Sequence, residues 1–83
     1  MTEKQKEIEI GLLEFVRNNI VAKGVEIEAD DVLKDIGVDS YSVIEMVLFI
    51  ERKFGVTLPE DKLLPDNLKS VRSLAACTVS MMD

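Results

Sequence analysis

The clearest helical segment of this chain is residues 37–55, which read GVDSYSVIEMVLFIERKFG. Asp39 is a favourable N-cap, because its carboxylate can accept hydrogen bonds from the free backbone N–H groups of a first helical turn. The helix is predicted to begin at Asp39 or Ser40 and to end at Phe54, where Gly55 can adopt the left-handed conformation that stops a helix. One face is apolar enough to form the centre of a core, through Val43, Met46, Val47, Ile50 and Phe54.

A second amphipathic segment lies at the amino terminus. The spacing of its apolar residues predicts a helix from about Thr2 to Ala22, with Gly24 as a left-handed stop. Glu9 and Asn19 fall within the apolar arc, so the amphipathic pattern is imperfect. The predicted core-facing stripe consists of Ile8, Leu12, Leu13, Phe15, Val16 and Ile20.

A long loop, residues 25–38, connects these two helices and shows no clean periodicity. Residues 30–33 could make one helical turn within it. A loop of this length is unusual in a small domain, and it is either functional or held in place by its own hydrophobic residues. Its candidate anchors are Ile27, Val32, Leu33 and Ile36.

The last third of the chain predicts a short helix and a longer one. Pro59 can open a short helix over 60–64 before Pro65 closes it. Ser70 is expected to cap a last helix, from Val71 to about Met82. The sequence therefore predicts one all-α domain over residues 1–83, a bundle of three main helices plus one short helix, with the long loop between the first and second.

The composition argues against several classes of function. Sixteen acidic and ten basic residues give a net charge of −6, which argues against a nucleic-acid partner and suits partners with basic patches. A single cysteine, Cys77, and no histidine argue against a disulfide or a zinc site. The charged amino terminus does not resemble a signal peptide, and the longest apolar run, Met46 to Ile50, is too short for membrane insertion. We expect a monomer in the cytoplasm that holds no metal.

Ser40 is the most distinctive side chain chemically. It occupies the first turn of a helix beside the Asp39 carboxylate, in a chain without the histidine that usually activates a serine nucleophile. Catalysis by the chain itself is therefore not expected. A hydroxyl in this position is instead suited to modification by another enzyme. The other serines are predicted to be structural, Ser42 in the capping turn, Ser70 as an N-cap, and Ser73 and Ser80 on helix surfaces.

The order of these features resembles the acyl carrier proteins of the phosphopantetheine-binding carrier family. The similarity covers nearly the whole chain: an amphipathic first helix, an acidic loop, the Gly-x-Asp-Ser motif at 37–40, a helix ending in Phe54-Gly55-Val56, then Leu58-Pro59 and a terminal helix. The resemblance implies an acyl-carrier-like fold. It also implies that 4′-phosphopantetheine from coenzyme A is attached to Ser40, that Asp39 positions the site, and that a phosphopantetheinyl transferase with its magnesium supplies the base and the metal.

The implied function is to hold acyl intermediates as thioesters on this arm, for fatty-acid, polyketide or a specialised acyl pathway. A peptidyl or D-alanyl carrier would share the fold and the attachment chemistry. A helical adaptor in which Ser40 is never modified is a further alternative. A calcium-binding module is disfavoured, because residues 31–39 lack the glycine and the glutamate that an EF-hand loop places at fixed positions.

A second apolar patch on the helix from Ser40 to Phe54, which includes Ile44 and Leu48, suggests where partner enzymes dock or where an acyl chain is sheltered. A helix that served only a core would not need two apolar faces, although a central helix buried on both sides is an alternative. Tyr41 replaces an aliphatic residue that the family usually has, and Arg52 and Lys53 make the usually acidic surface mixed. These departures suggest a specialised carrier whose acyl-loading and acyl-processing enzymes have basic or mixed docking patches. The predicted docking residues are Tyr41, Ile44, Glu45, Leu48, Glu51 and Arg52.

Overall fold

The computed structural model describes residues 3–21 and 24–82, and it is helical as predicted. Three α-helices, α1 (Glu3–Asn19), α2 (Ser40–Phe54) and α3 (Val71–Ser80), are joined by segments that contain two short 3-10 helices, Leu33–Ile36 and Glu60–Lys62. No strand occurs in the described ranges. Helix α1 packs against both α2 and α3, and the fully buried side chains between them form the core: Ile8, Leu12, Val16, Met46, Ile50, Val71 and Leu74.

Helix α2 has the predicted boundaries, because both of its ends are fixed by local interactions. The Asp39 carboxylate accepts a hydrogen bond from the Ser42 N–H at 2.9 Å, which caps the first turn. Gly55 adopts a left-handed conformation with φ of 68°, and its N–H donates to the Glu51 carbonyl. Phe49, which fits neither predicted face, stacks on the Phe15 ring at 4.6 Å between centroids and joins α2 to α1.

Helix α1 ends earlier than predicted. It stops at Asn19, where the N–H groups of Ile20 and Val21 both donate to the Val16 carbonyl and close the last turn. Gly24 has the expected left-handed conformation, but it lies beyond this end and does not stop the helix. The predicted limits Thr2 and Ala22 lie outside the described residues.

Four other predictions need correction. The helical turn expected at 30–33 is displaced to Leu33–Ile36. The short helix shrinks from 60–64 to Glu60–Lys62, because a residue that precedes proline, here Leu64, disfavours helical backbone angles. Ser73 is not an ordinary surface residue, since its side chain accepts a hydrogen bond from the Ser70 N–H and completes a capping box with the predicted N-cap Ser70. Helix α3 ends at Ser80, before the predicted end at Met82.

The long loop is held by its own hydrophobic residues and by bonds to the region around α3. The Leu33 N–H donates to the Lys69 carbonyl, and the Arg72 N–H donates to the Ala29 carbonyl, each at 2.9 Å. Ile27, Leu33 and Val38 are buried, so they anchor the loop to the core. This arrangement fixes the entry to α2 and with it the position of Ser40.

An ionic cluster explains why Glu9 interrupts the apolar stripe of α1. Its side chain is 6% exposed, and a carboxylate oxygen lies 3.7 Å from Arg72 Nε on α3. Arg72 also bonds to Asp30 of the loop at 2.6 Å, and Gln5 donates to Glu9. The cluster therefore connects α1, the loop and α3, and a buried charge is kept because it is paired.

Candidate functional site

Ser40 lies exposed at the first position of α2, on a backbone turn that the preceding residues fix. Gly37 has a φ of 87°, a left-handed angle that residues with a Cβ rarely adopt, and it ends the first 3-10 helix. Val38 is buried and anchors the chain just before the N-cap. Within the described residues, the Ser40 hydroxyl has no hydrogen-bond partner. The hydroxyl is therefore accessible to another molecule.

Asp39 combines a structural and an electrostatic effect. The hydrogen bond from the Ser42 backbone N–H, with a further bond from the Ser42 side chain, lowers the pKa of the Asp39 carboxyl. The carboxylate is thus ionised at neutral pH and stands directly beside Ser40. It accepts a hydrogen bond from one of the otherwise unpaired N–H groups of the first turn. The positive end of the helix dipole also favours an anion at this end of α2.

The second face of α2 is open to solvent. Tyr41 is 70% exposed, Ile44 57% and Leu48 44%, which is unusual for side chains of this size in a small protein. The alternative in which α2 is buried on two sides is therefore wrong. These three residues are called the α2 patch below.

An apolar cleft of about 1030 Å³ opens beside Ser40 and Asp39 and runs between α2 and residues 58–69. The sequence suggested Ile44 and Leu48 as residues that could shelter an acyl chain, and both line the cleft. It did not predict the rest of the lining, because residues far apart in the chain form it and their spacing follows no single period. Besides Asp39, five charged residues contribute to its lining: Lys34, Glu51, Glu60, Asp66 and Lys69. Its apolar lining comes from Val32, Leu33, Val38, Val43, Ile44, Val47, Leu48, Leu58, Leu63, Pro65 and Leu68.

The cleft divides the predicted docking residues into two groups. Ile44, Leu48 and Glu51 line it, whereas Tyr41, Glu45 and Arg52 lie on α2 outside it. Within the described ranges, Glu45, Glu51 and Arg52 form no ion pair. The six predicted docking residues thus lie on one face of α2, where unpaired charges surround an apolar centre.

The thiol of Cys77 is another potentially reactive group in the structure. Cys77 is buried, and this burial raises the pKa of its thiol, which makes the thiolate less available. In the described part of the chain, no three His, Cys, Asp or Glu side chains come together in a way that could hold a metal ion. Nor does any helix there combine the length and apolarity that a membrane crossing requires.

Fold and site together define a class of protein: a small helical bundle that presents an accessible serine hydroxyl at a helix N-terminus, beside an apolar cleft. The model of the family described as phosphopantetheine attachment site matches residues 12–78. The chain belongs to this family. Membership implies a covalently attached 4′-phosphopantetheine group.

Curated relatives agree with this assignment. The chain is 37% identical over 73 residues to the acyl carrier protein of Acidothermus cellulolyticus, covering 86% of this chain and 83% of the relative. It is 41% identical over 44 residues to that of Helicobacter acinonychis, covering 53% and 55%. It is 30% identical over 53 residues to aminoacyl carrier protein 2 of Bradyrhizobium diazoefficiens, covering 64% and 60%. The chain thus matches little more than half the length of these last two relatives.

Solved structures confirm the fold. An acyl carrier protein from Thermotoga maritima superposes with a TM-score of 0.76 at 18% identity, covering 96% of this chain and 92% of that one. The structure of a Bradyrhizobium japonicum glycine:[carrier protein] ligase, complexed with its cognate carrier protein and an analogue of glycyl adenylate, gives a TM-score of 0.72 at 22% identity, covering 92% and 96%. The predicted all-α, acyl-carrier-like fold is confirmed.

Proposed function

We propose that Ser40 carries the 4′-phosphopantetheine and that this chain holds acyl intermediates as thioesters on the thiol of that arm. The observation that supports Ser40 most strongly is its position. Its hydroxyl is exposed and without a hydrogen-bond partner in the described residues, and Ser40 lies at the capped N-terminus of α2 and lines the apolar cleft.

The attachment reaction is a phosphoryl transfer from coenzyme A. The Ser40 oxygen forms a bond to the phosphorus that bears the pantetheine, and the bond from that phosphorus to the adenosine-bearing phosphate breaks. Adenosine 3′,5′-bisphosphate leaves, and the serine proton passes to a base on the phosphopantetheinyl transferase. The chain is a substrate in this step and not an enzyme. Its own contribution is to hold Ser40 in place through the Asp39 cap and to favour the resulting phosphodiester anion at the helix N-terminus.

The lining of the cleft supports an acyl cargo. An arm attached to Ser40 starts beside a cleft whose walls are largely aliphatic, and an aliphatic chain carried on its thiol gains free energy when such walls cover it. This supports a pathway that handles acyl groups, such as fatty-acid, polyketide or a specialised acyl pathway. The composition, with one cysteine and an acidic surface, is consistent with a monomer that works in the cytoplasm.

An aminoacyl cargo is the second candidate, supported by the 30% identity to an aminoacyl carrier protein. A peptidyl or D-alanyl carrier belongs to the same class. The two cargo types can be separated by incubating the modified protein either with fatty acids and an acyl ligase or with amino acids and an aminoacyl ligase of the encoding organism. The acyl proposal predicts a mass gain with the first pair only.

The partner enzymes are proposed to dock on the α2 patch and its surrounding charges. Tyr41, Ile44 and Leu48 supply the apolar contact, and Glu45, Glu51 and Arg52 supply the charged rim. This is the usual arrangement of a protein interface, with an apolar centre and a polar edge. All six residues lie within about four helical turns of Ser40.

The test of attachment is intact mass after incubation with coenzyme A, magnesium and a promiscuous phosphopantetheinyl transferase. Wild type and Ser42→Ala are expected to gain the mass of one phosphopantetheine, whereas Ser40→Ala is expected to gain none. Ser42→Ala is the matched control, since it removes a hydroxyl from the same helical turn. A gain by Ser40→Ala would show that another residue is the acceptor.

A further inference from the structure

One wall of the cleft is not bonded to α2. Helices α2 and α3 each pack on α1 and have no comparable packing on each other. Within the described ranges, no hydrogen bond or ion pair joins residues 59–68, called the outer wall below, to α2. Apart from the apolar contacts of Leu63 and Leu68 with the core, the position of the outer wall therefore depends on bonds within it and on bonds to α3.

Asn67 closes the outer wall on itself. Its side-chain Nδ2 donates to the Lys62 carbonyl at 2.8 Å, and its backbone N–H donates to the Leu64 carbonyl at 2.9 Å. A carbonyl oxygen can only accept a hydrogen bond, so the side chain at position 67 has to supply the donor. The side-chain bond closes a loop over residues 63–66. Three residues of this loop line the cleft: Leu63, Pro65 and Asp66.

Asn67 also joins the outer wall to α3. The Ser73 hydroxyl, in the first turn of α3, donates to the Asn67 carbonyl at 2.9 Å. A weaker contact lies nearby, where the Cys77 Sγ is 4.0 Å from the Lys62 carbonyl oxygen. Asn67 thus connects the loop that lines the cleft with the first turn of α3.

Loss of the Asn67 side-chain bond would free this loop without disturbing the centre of the core. No residue of the outer wall is fully buried, and Asn67 itself is half-buried. Segments that few bonds and few buried contacts hold in place open locally at a lower cost than the core does. An outward movement of residues 63–66 would widen the cleft and let water reach what lies in it.

We propose that Asn67 is a positioning residue that holds the outer wall over the cleft and thereby limits the access of water and other nucleophiles to an acyl thioester lying there. The inference rests on the proposed function, in which an arm on Ser40 carries an aliphatic chain beside the cleft. It names the residue that determines how well the cleft covers this chain. A long aliphatic cargo should depend on Asn67, whereas a cargo too short to lie between the walls should not.

Asn19 offers a matched control for Asn67. Its Nδ2 donates to the Phe15 carbonyl at 3.0 Å, which is the same kind of bond between a side-chain amide and a backbone carbonyl. Asn19 is the last residue of α1 and does not line the cleft. Asn19→Asp and Asn67→Asp therefore remove equivalent donors and add the same charge at two different places.

The test measures how fast hydroxylamine cleaves octanoyl and acetyl thioesters on wild type, Asn67→Asp, Asn67→Ala and Asn19→Asp. Each acyl group is loaded together with its arm, from octanoyl-coenzyme A or acetyl-coenzyme A, by a promiscuous phosphopantetheinyl transferase with magnesium. Mass spectrometry follows the loss of the acyl group, after circular dichroism has shown that each variant is folded. Each rate is divided by the rate for the same acyl-coenzyme A in solution, which removes the intrinsic difference between the two thioesters.

The octanoyl thioester should respond to Asn67, and the acetyl thioester should not. On wild type and Asn19→Asp, we expect the corrected octanoyl rate to be lower than the corrected acetyl rate. Asn67→Asp is expected to raise the octanoyl rate about fivefold and Asn67→Ala about threefold, as one lost hydrogen bond would shift an opening equilibrium. The acetyl rate should change by less than about twofold in every variant. If Asn67→Asp does not fold, Asn67→Ala gives the answer.

The failure of this inference differs from the failure of the proposed function. Octanoyl rates that stay at the wild-type value in both Asn67 variants would overturn the inference. Equal increases for Asn67→Asp and Asn19→Asp would also overturn it, since they would reflect a general effect of the added charge or the lost bond. Equal corrected rates for the two acyl groups on wild type would show that the cleft does not cover the cargo, and attachment at Ser40 would stand. If wild type gains no acylated arm at Ser40, the inference and the proposed function both fail.

Discussion

The two faces of α2 carry similar aliphatic side chains, but one face is buried in the core and the other is exposed to solvent. Met46 and Ile50 are fully buried in the core, whereas Ile44 and Leu48, on the other side of the helix, are 57% and 44% exposed. A helix in a small domain gains most of its stability from the first kind of face. The second face adds little to stability and exposes apolar surface to water. We propose that the exposed face is retained for contact with other molecules.

The largest difference in the free energy of unfolding is expected between variants in which an aliphatic side chain is truncated on the buried face or on the exposed face. Ile50→Ala should lower the free energy of unfolding by about 2–5 kcal/mol, because it removes buried methyl groups and leaves a cavity. Leu48→Ala should lower it by less than about 0.5 kcal/mol, since Leu48 already contacts water. Urea denaturation followed by circular dichroism gives both values. Similar losses for the two variants would mean that the faces do not differ as described.

An intermediate effect on the free energy of unfolding is expected from replacing two arginines, one that pairs with a buried acid and one that is exposed. Arg72→Ala should cost about 1–2 kcal/mol of unfolding free energy, because it leaves the buried Glu9 carboxylate without its cation. Arg52→Ala should cost less than about 0.5 kcal/mol, because Arg52 is exposed. Thermal and urea unfolding of the two variants would measure this contrast. A greater loss for Arg52→Ala would assign it a structural role and weaken its place in the docking surface.

The smallest effect concerns the pH dependence that Asp39 gives to stability. The Ser42 N–H lowers the pKa of Asp39 below the ordinary value of 3.8 in the folded protein, so the stabilisation is present above pH 3.8 and is lost as pH falls through the folded pKa. Asp39→Asn keeps an N-cap oxygen and removes the titration. The stability difference between wild type and Asp39→Asn should therefore shrink as pH falls from 6 toward 3. A difference that stays constant over this range would contradict the assigned bond.

Local signals account for what could be predicted from the sequence. Asp39, Gly55 and Ser70 set helix ends through bonds within a few residues of themselves, so α2 and the start of α3 were predicted correctly. The same holds for the position of Ser40, which follows from the Asp39 cap. These features depend on short stretches of chain and on side chains with strong preferences.

Features that depend on contacts between distant residues could not be predicted. The Glu9–Arg72 pair joins residues 63 positions apart, and the apolar arc of α1 alone gave no reason for a buried acid. The Phe15–Phe49 stack and the cleft beside Ser40 likewise need α1, α2 and residues 58–69 to be placed together. Periodicity describes one helix at a time and cannot show which faces meet.

The most direct test of the proposed attachment is peptide mass mapping of the protein purified from the organism that encodes it. The proposal predicts that the proteolytic peptide containing Ser40 carries phosphopantetheine, with a fraction bearing a further acyl group that hydroxylamine removes from the thiol. A native protein without this group, or with the group on any residue other than Ser40, would contradict the proposal.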